Sequence, residues 1–222
     1  MKKKFCVIGL GNFGFHMAAA LYQAGHEIIT IDSDKEKVQA VKDICSYAIL
    51  GDAGNKEFLS AQGVSEMDAV VVSTGDRSHL STLITLYAKE LKVPRILVKA
   101  VNEDHGRILE RVGATDIIFP EKDMARRIAH NLSSPNILEF IPLAEEYSLS
   151  ETDPPKHFIG KTLVELDLRK KFNVTVIAIK DILTDQFLPA PPSSYLIKDS
   201  DVLVLIGKTE DIDKSLRKQK PT

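Results

Sequence analysis

Three glycines, Gly9, Gly11 and Gly14, stand at G-x-G-x-x-G spacing, and Asp32 follows 18 positions after the last of them. Such a turn brings backbone amides to one point without side chains. When an apolar strand leads into it and a helix leaves it, those amides sit at the positive end of the helix dipole, where phosphate oxygens are held. The first glycine permits the tight turn, the second admits a diphosphate to the backbone, and the third lets the helix pack on the strand. The flanking sequence supplies that frame: "KFCVI" precedes the turn and "EIITID" ends on the aspartate. A carboxylate there accepts hydrogen bonds from both ribose hydroxyls and repels a 2′-phosphate. This argues against NADP and leaves NAD, ATP, ADP and AMP open. Asp32→Ala is expected to weaken nucleotide binding strongly while leaving folding nearly intact.

Turnover of a bound cofactor needs more: an acid or base beside the reacting carbon and a pocket for a substrate. The chain contains no Tyr-x-x-x-Lys, G-x-S-x-G, H-E-x-x-H or Walker A pattern. Its histidines, His16, His26, His79, His105, His130 and His157, are scattered over helix starts, turns and a linker. Weight therefore shifts from an enzyme towards a protein that senses its ligand. A small NAD-dependent oxidoreductase stays as the alternative, and a soluble nucleotide sensor with some other partner is a third reading.

The elements that must position the turn follow from the pattern of apolar runs. From residue 4 to about 132, short apolar runs alternate with amphipathic stretches, which predicts a helix-covered parallel sheet. The strands expected are Lys4–Ile8, Glu27–Ile31, Tyr47–Leu50, Ala69–Ser73, Arg95–Lys99 and Asp116–Phe119. Asn12–Ala24 is expected to be helical. Leu80, Leu83, Ile84, Tyr87 and Leu91 form one buried helical stripe. Runs such as "AVVVS" and "RILVK" suit strands buried on both faces. The fold class is thus α/β, a Rossmann-like doubly wound sheet in residues 1–132, followed by a small α+β lobe. A Ser-Ser-Pro break at 133–135 and Asp-Pro-Pro at 153–155 mark 133–157 as a linker or helical crossover. In the lobe, 158–218, a helical pattern covers Leu163–Phe172, strands cover Val174–Lys180 and Asp201–Ile206, and Glu210–Arg217 is a final helix. Ala190-Pro191-Pro192 marks a loop between them. A core that small is marginal alone and is expected to pack against the large domain or a second copy.

Composition bounds the partners. The chain has 222 residues, 44% hydrophobic and 27% charged, with a formal net charge of -2. No global basic field favours nucleic acid. Cys6 and Cys45 form neither a disulfide framework nor a zinc site, in keeping with a reducing cytoplasm. No segment approaches the roughly 20 apolar residues that span a bilayer, so a membrane role requires a partner. The Asn-x-Ser/Thr triplets at Asn131 and Asn173 are chance matches.

Taken in order, "VIGLGNFG", "IDSDKEKV", "GDAGNKEFLSAQGV", "VVSTGDRSHLSTLITLYAKEL", "ILVKAVNEDHGRILERVGATDIIFPEKDMARRIA" and "RKKFNVTVIAIK" resemble the cytosolic RCK regulators of bacterial potassium uptake, of the KtrA and TrkA type. The resemblance covers nearly the whole chain. It implies a protein without turnover that binds ATP or ADP, assembles as homodimers into an octameric ring, and gates a membrane-embedded potassium transporter from the cytoplasmic face. It also implies that Gly9, Gly11, Asn12, Phe13 and Gly14 line the phosphates, with Asp32, Ser33 and Asp34 at the ribose. Asp52 and Ala53 would border adenine, Thr74 and Gly75 close the pocket, and Lys99 approach phosphate. Glu121 matches an acidic position near a dimer seam, where magnesium or calcium would join carboxylate and phosphate oxygens. In the lobe, Ile159, Arg169, Asn173 and Val174 match positions that bind cyclic di-AMP between two copies. The family pattern often has arginine after the second glycine. Asn12 carries no charge to a terminal phosphate, which keeps NAD and AMP as alternatives to ATP and ADP.

Overall fold

The computed structural model describes residues 1–133 and 137–217. The chain divides into two compact units, Met1–Lys122 and a second beginning at Asp123.

In the first unit β1 (Lys4–Ile8), β2 (Glu27–Asp32), β3 (Tyr47–Leu50), β4 (Ala69–Val72), β5 (Ile96–Lys99) and β6 (Asp116–Ile118) form one parallel sheet. Its order is β3-β2-β1-β4-β5-β6. Helices α1 (Asn12–Gln23), α2 (Lys35–Ala40), α3 (Lys56–Ala61), α4 (Ser78–Glu90) and α5 (Glu103–Val112) connect the strands, and α6 (Pro120–Ser133) follows β6. Alternate residues of β1 enter opposite cores. Cys6 and Ile8 pack with Ile31, Val70, Val72 and Ile84 on one face, while Val7 packs with Ala18, Ile28, Val38 and Val71 on the other. A strand buried on both sides reads as a continuous apolar run, which is why these strands are visible in the sequence. Chain direction across the sheet reverses between β1 and β4. Their carboxyl ends therefore open a crevice, the place where ligands sit in doubly wound sheets.

The second unit holds an antiparallel sheet of β7 (Ile137–Pro142), β8 (Tyr147–Thr152), β9 (Thr175–Asp181), β10 (Gln186–Pro189) and β11 (Asp201–Lys208). Their order is β10-β9-β11-β8-β7. Short helices α7 (Leu163–Leu166) and α8 (Leu168–Phe172) and the longer α9 (Thr209–Leu216) contribute to its core of Leu166, Leu168, Val174, Ile179, Leu203, Leu205 and Ile212.

Three expectations change here. Of the segment 133–157, residues 134–136 lie outside the described residues, as does residue 218 of the expected lobe. The rest of that segment is not a simple linker: it supplies β7 and β8 to the second sheet. Its signal is inverted, since β8 buries the hydroxyl residues Ser148, Ser150 and Thr152 and leaves Tyr147 exposed. The helix expected over Leu163–Phe172 is two pieces, broken where Asp167 takes a left-handed conformation (φ 49). A capping box starts the first piece: Thr162 Oγ1 accepts from Glu165 N–H and Glu165 Oε2 accepts from Thr162 N–H. Finally, β10 gives no periodic signal because all four of its residues are exposed.

Candidate nucleotide-binding site

The glycine turn lies where β1 meets α1. Gly9 has φ +90, and a Cβ there would fall 2.2 Å from the Ser73 carbonyl oxygen. Only glycine lets the turn lie directly against the loop that follows β4. A Cβ on Gly14 would fall 1.9 Å from Gly9 O, so the third glycine seats α1 on the strand. Gly11 differs: its φ is -70, and a Cβ there would meet nothing within 4 Å. The turn thus has an open side at Gly11. Gly11 is also the N-cap of α1 and provides no side-chain cap. The first amides of that helix are unclaimed by a cap and suit an anion. This geometry fits a diphosphate.

Asp32 ends β2 and is 5% exposed. Its Oδ2 accepts Leu10 N–H at 2.6 Å and its Oδ1 accepts Asp34 N–H at 2.9 Å. The carboxylate therefore ties the glycine turn to the β2–α2 turn, and its remaining lone pairs face a ribose position. This corrects the expectation that Asp32→Ala would leave folding nearly intact. Asp34 is also corrected: its carboxylate caps α2, accepting from Glu36 and Lys37 amides at 2.9 and 3.4 Å. It is a helix cap rather than part of the cleft wall.

Gly9, Asp32, Ser33, Asp52, Ala53 and Thr74 line one cleft with a volume of about 20 Å³. Asp52 Oδ1 is occupied by Gly54 N–H at 2.9 Å. Thr74 is buried, and Gly75 takes φ +64 ahead of α4. Asn12 is exposed at the start of α1, while the Phe13 ring packs into the core beneath that helix, leaving its backbone to face the turn.

Lys99 and Glu121 stand apart from the cleft wall. They pair with each other, and the Lys99 ammonium holds the Glu121 carboxyl below the usual range by hydrogen bonding. Among the described residues, no group of three or more His, Cys, Asp or Glu is arranged to hold a metal ion. In the second unit Arg169 and Asn173 are exposed and Ile159 is half-buried. Val174 is wholly buried against Gly207, so its side chain presents no surface to a ligand, a further correction.

Three side chains in the cleft wall escaped the sequence reading: Arg77, Leu80 and Ile84. Leu80 and Ile84 were legible only as core. Arg77 carries the sole available signal, a cation in the loop "STGDRSHL" that follows β4.

The chain matches the family model of the TrkA-N domain over residues 5–120 and that of the TrkA-C domain over residues 150–219. It is 40% identical over 214 residues to Ktr system potassium uptake protein C of Bacillus subtilis, covering 96% of each chain. It is 39% identical over 210 residues to Ktr system potassium uptake protein A of the same species, covering 95% of this chain and 94% of that one. Among solved structures, the GsuK RCK domain superposes with a TM-score of 0.68 at 14% identity, over 99% of this chain and 49% of that one. The GsuK channel bound to NAD gives a TM-score of 0.52 at 22% identity, over 97% of this chain and 38% of that one. These two likenesses concern the fold. The protein belongs to the Ktr/TrkA family of potassium uptake proteins, a TrkA-N domain of Rossmann-like fold followed by a TrkA-C domain.

Proposed function

We propose that this chain is the nucleotide-sensing regulatory subunit of a potassium uptake system. It binds an adenine nucleotide in the cleft between β1 and β4, and a membrane-embedded partner reads the resulting change of shape. The observation that carries this reading is the pairing of an open glycine turn at Gly11 with the buried carboxylate of Asp32. The first offers amides to a diphosphate and the second offers oxygens to an unmodified ribose.

ATP or ADP is the ligand class proposed, with NAD and AMP sharing the same ribose and phosphate. Bound there, the nucleotide supplies charge and contact area, and the chain's residues hold it. The Gly11 side of the turn receives phosphate, Asp32 orients the ribose, and Asp52 with Ala53 borders the base. A ligand shifts a conformational equilibrium only by its difference in affinity for the two states. Couplings of about 1 to 3 kcal/mol are typical, within reach of a few hydrogen bonds. The residues of one chain do not by themselves make a magnesium or calcium site, because Glu121 is committed to Lys99. A role for Glu121 in metal binding requires donors from a second copy or from the nucleotide.

Assembly into dimers and an octameric ring is proposed on the same family basis, with cyclic di-AMP as a second ligand near Ile159, Arg169 and Asn173. Among the described residues no helix is long and apolar enough to cross a membrane. A station at the cytoplasmic face of a membrane partner accords with this. Hydride chemistry would need a proton donor at the nicotinamide. The cleft wall supplies instead carboxylates, hydroxyls and one guanidinium.

A ligand panel tests the reading. ATP, ADP, AMP and NAD are compared by calorimetry and thermal shift, and NADH is incubated with candidate substrates. Micromolar binding of adenine nucleotides, weaker binding of NADP, and no turnover are expected. Absence of binding by every adenine nucleotide, or steady NADH oxidation, would overturn it.

A further inference from the structure

The cleft is poor in positive charge. Two carboxylates, Asp32 and Asp52, lie in its wall, and an entering di- or triphosphate adds more negative charge. The position after the second glycine is Asn12, which is neutral. Lys99 is tied to Glu121 and lies outside the wall. Backbone amides at the start of α1 contribute partial charge only.

Arg77 is the cation in that wall. It is exposed and sits at the N-cap of α4, in the loop whose Ser73 carbonyl touches Gly9. The loop and the glycine turn are therefore immediate neighbours. One hydrogen bond restrains the guanidinium, from Nε to Thr74 O at 3.5 Å, the outer limit for such a bond. Among the described residues Arg77 makes no ion pair. A guanidinium carries five N–H donors, so its terminal nitrogens stay available for a bidentate grip on phosphate.

The present volume of the cleft, about 20 Å³, accommodates little more than one water. Pockets for drug-sized ligands measure about 300 to 1,000 Å³. Some of the wall must move before a nucleoside enters. Ile84 is fully buried in the core and Asp32 is locked by two amides, whereas Arg77 is exposed and weakly held.

We propose that Arg77 is the phosphate-selecting residue of the cleft: its side chain lies across the entrance, and as a nucleotide enters it exchanges the Thr74 carbonyl for phosphate oxygens. Arg77 thus does for this chain what Asn12 cannot. The proposal rests on the nucleotide reading of the cleft given above.

Calorimetry with adenosine, AMP, ADP and ATP at fixed salt, on the full chain and on Arg77→Ala, Arg77→Gln and Arg77→Lys, separates the two. Charge-assisted hydrogen bonds set the expected scale: Arg77→Ala and Arg77→Gln lose roughly 10- to 100-fold in ADP affinity and at most about twofold in adenosine affinity. Arg77→Lys keeps the charge without the fork and falls between. The wild-type preference for ADP over adenosine should shrink as salt rises, and in Arg77→Ala that salt dependence should weaken. Wild-type binding of both ligands with Arg77→Ala and Arg77→Gln holding ADP within twofold of it overturns the Arg77 assignment alone. Equal loss of adenosine and ADP also overturns it, placing Arg77 at the nucleoside. Wild-type failure to bind either ligand overturns the nucleotide reading and this proposal with it. Because Arg77 is exposed, the ligand-free melting temperatures of all variants are expected to coincide.

Discussion

Replacing Asp32 by alanine separates a ligand-binding role from a structural one. The carboxylate is 5% exposed and accepts two backbone amides, Leu10 at 2.6 Å and Asp34 at 2.9 Å. Leu10 is 4% exposed, so its amide would be stranded out of reach of solvent once the acceptor is gone. A buried donor left unpaired costs about 1 to 3 kcal/mol. Asp34 is exposed and its amide can rehydrate, which limits that loss to about 0.5 to 1.5 kcal/mol. Together these give a destabilisation of the first unit of roughly 2 to 4 kcal/mol, before any ligand is added. Urea unfolding followed by far-UV circular dichroism measures it, and hydrogen exchange at the Leu10 amide localises it. Asp32→Asn keeps one acceptor oxygen and should fall between wild type and alanine. A loss below about 0.5 kcal/mol in Asp32→Ala, the scatter of ordinary surface changes, with Leu10 protection unchanged would refute the two-amide account.

Two further outcomes follow from the same geometry and from a buried imidazole. Gly11→Ala should fold with an unchanged melting temperature, since its Cβ meets nothing within 4 Å, yet lose at least about tenfold in ADP affinity. Gly14→Ala should lose both binding and stability, because its Cβ would lie 1.9 Å from Gly9 O; equal calorimetric and thermal behaviour of the two variants would contradict the turn geometry. His105 is buried between α4 and α5: Nδ1 accepts Val101 N–H at 3.2 Å, which leaves Nε2 to donate to Ser81 Oγ at 3.2 Å. Burial lowers its pKa from the ordinary 6.5. The neutral ring's contribution is thus complete above that value and lost as pH falls through the lower folded value, so the melting temperature should drop between pH 7 and 5 and do so less in His105→Gln.

The first sheet was legible because each of its central strands is apolar on both faces, and the glycine turn because its spacing, strand and helix agree. β8 was hidden by inversion: the residues facing inward are Ser148, Ser150 and Thr152, which an alternation rule assigns to solvent. Asp167 breaks a helix at a residue whose left-handed backbone leaves no mark on the apolar period of Leu163–Phe172. At the site, the type of Asp32 pointed to ribose, but its double hold on Leu10 and Asp34 depends on where two turns meet. Asp34 precedes a helical run and its capping role was within reach of sequence rules. Arg77 lies in a short loop without periodicity, and only the approach of Gly9 to Ser73 reveals that this loop borders the phosphate turn.

A recess that holds scarcely one water at rest has a thermodynamic consequence for any signal passed through it. If the gaping form is one molecule in a hundred, measured affinity is weaker than intrinsic affinity by about a hundredfold. That deficit is the work the ligand performs in holding the walls apart. A second molecule that favours the gaping form, whether another subunit or the membrane partner, would therefore tighten nucleotide binding, and by reciprocity the nucleotide would tighten its grip in return.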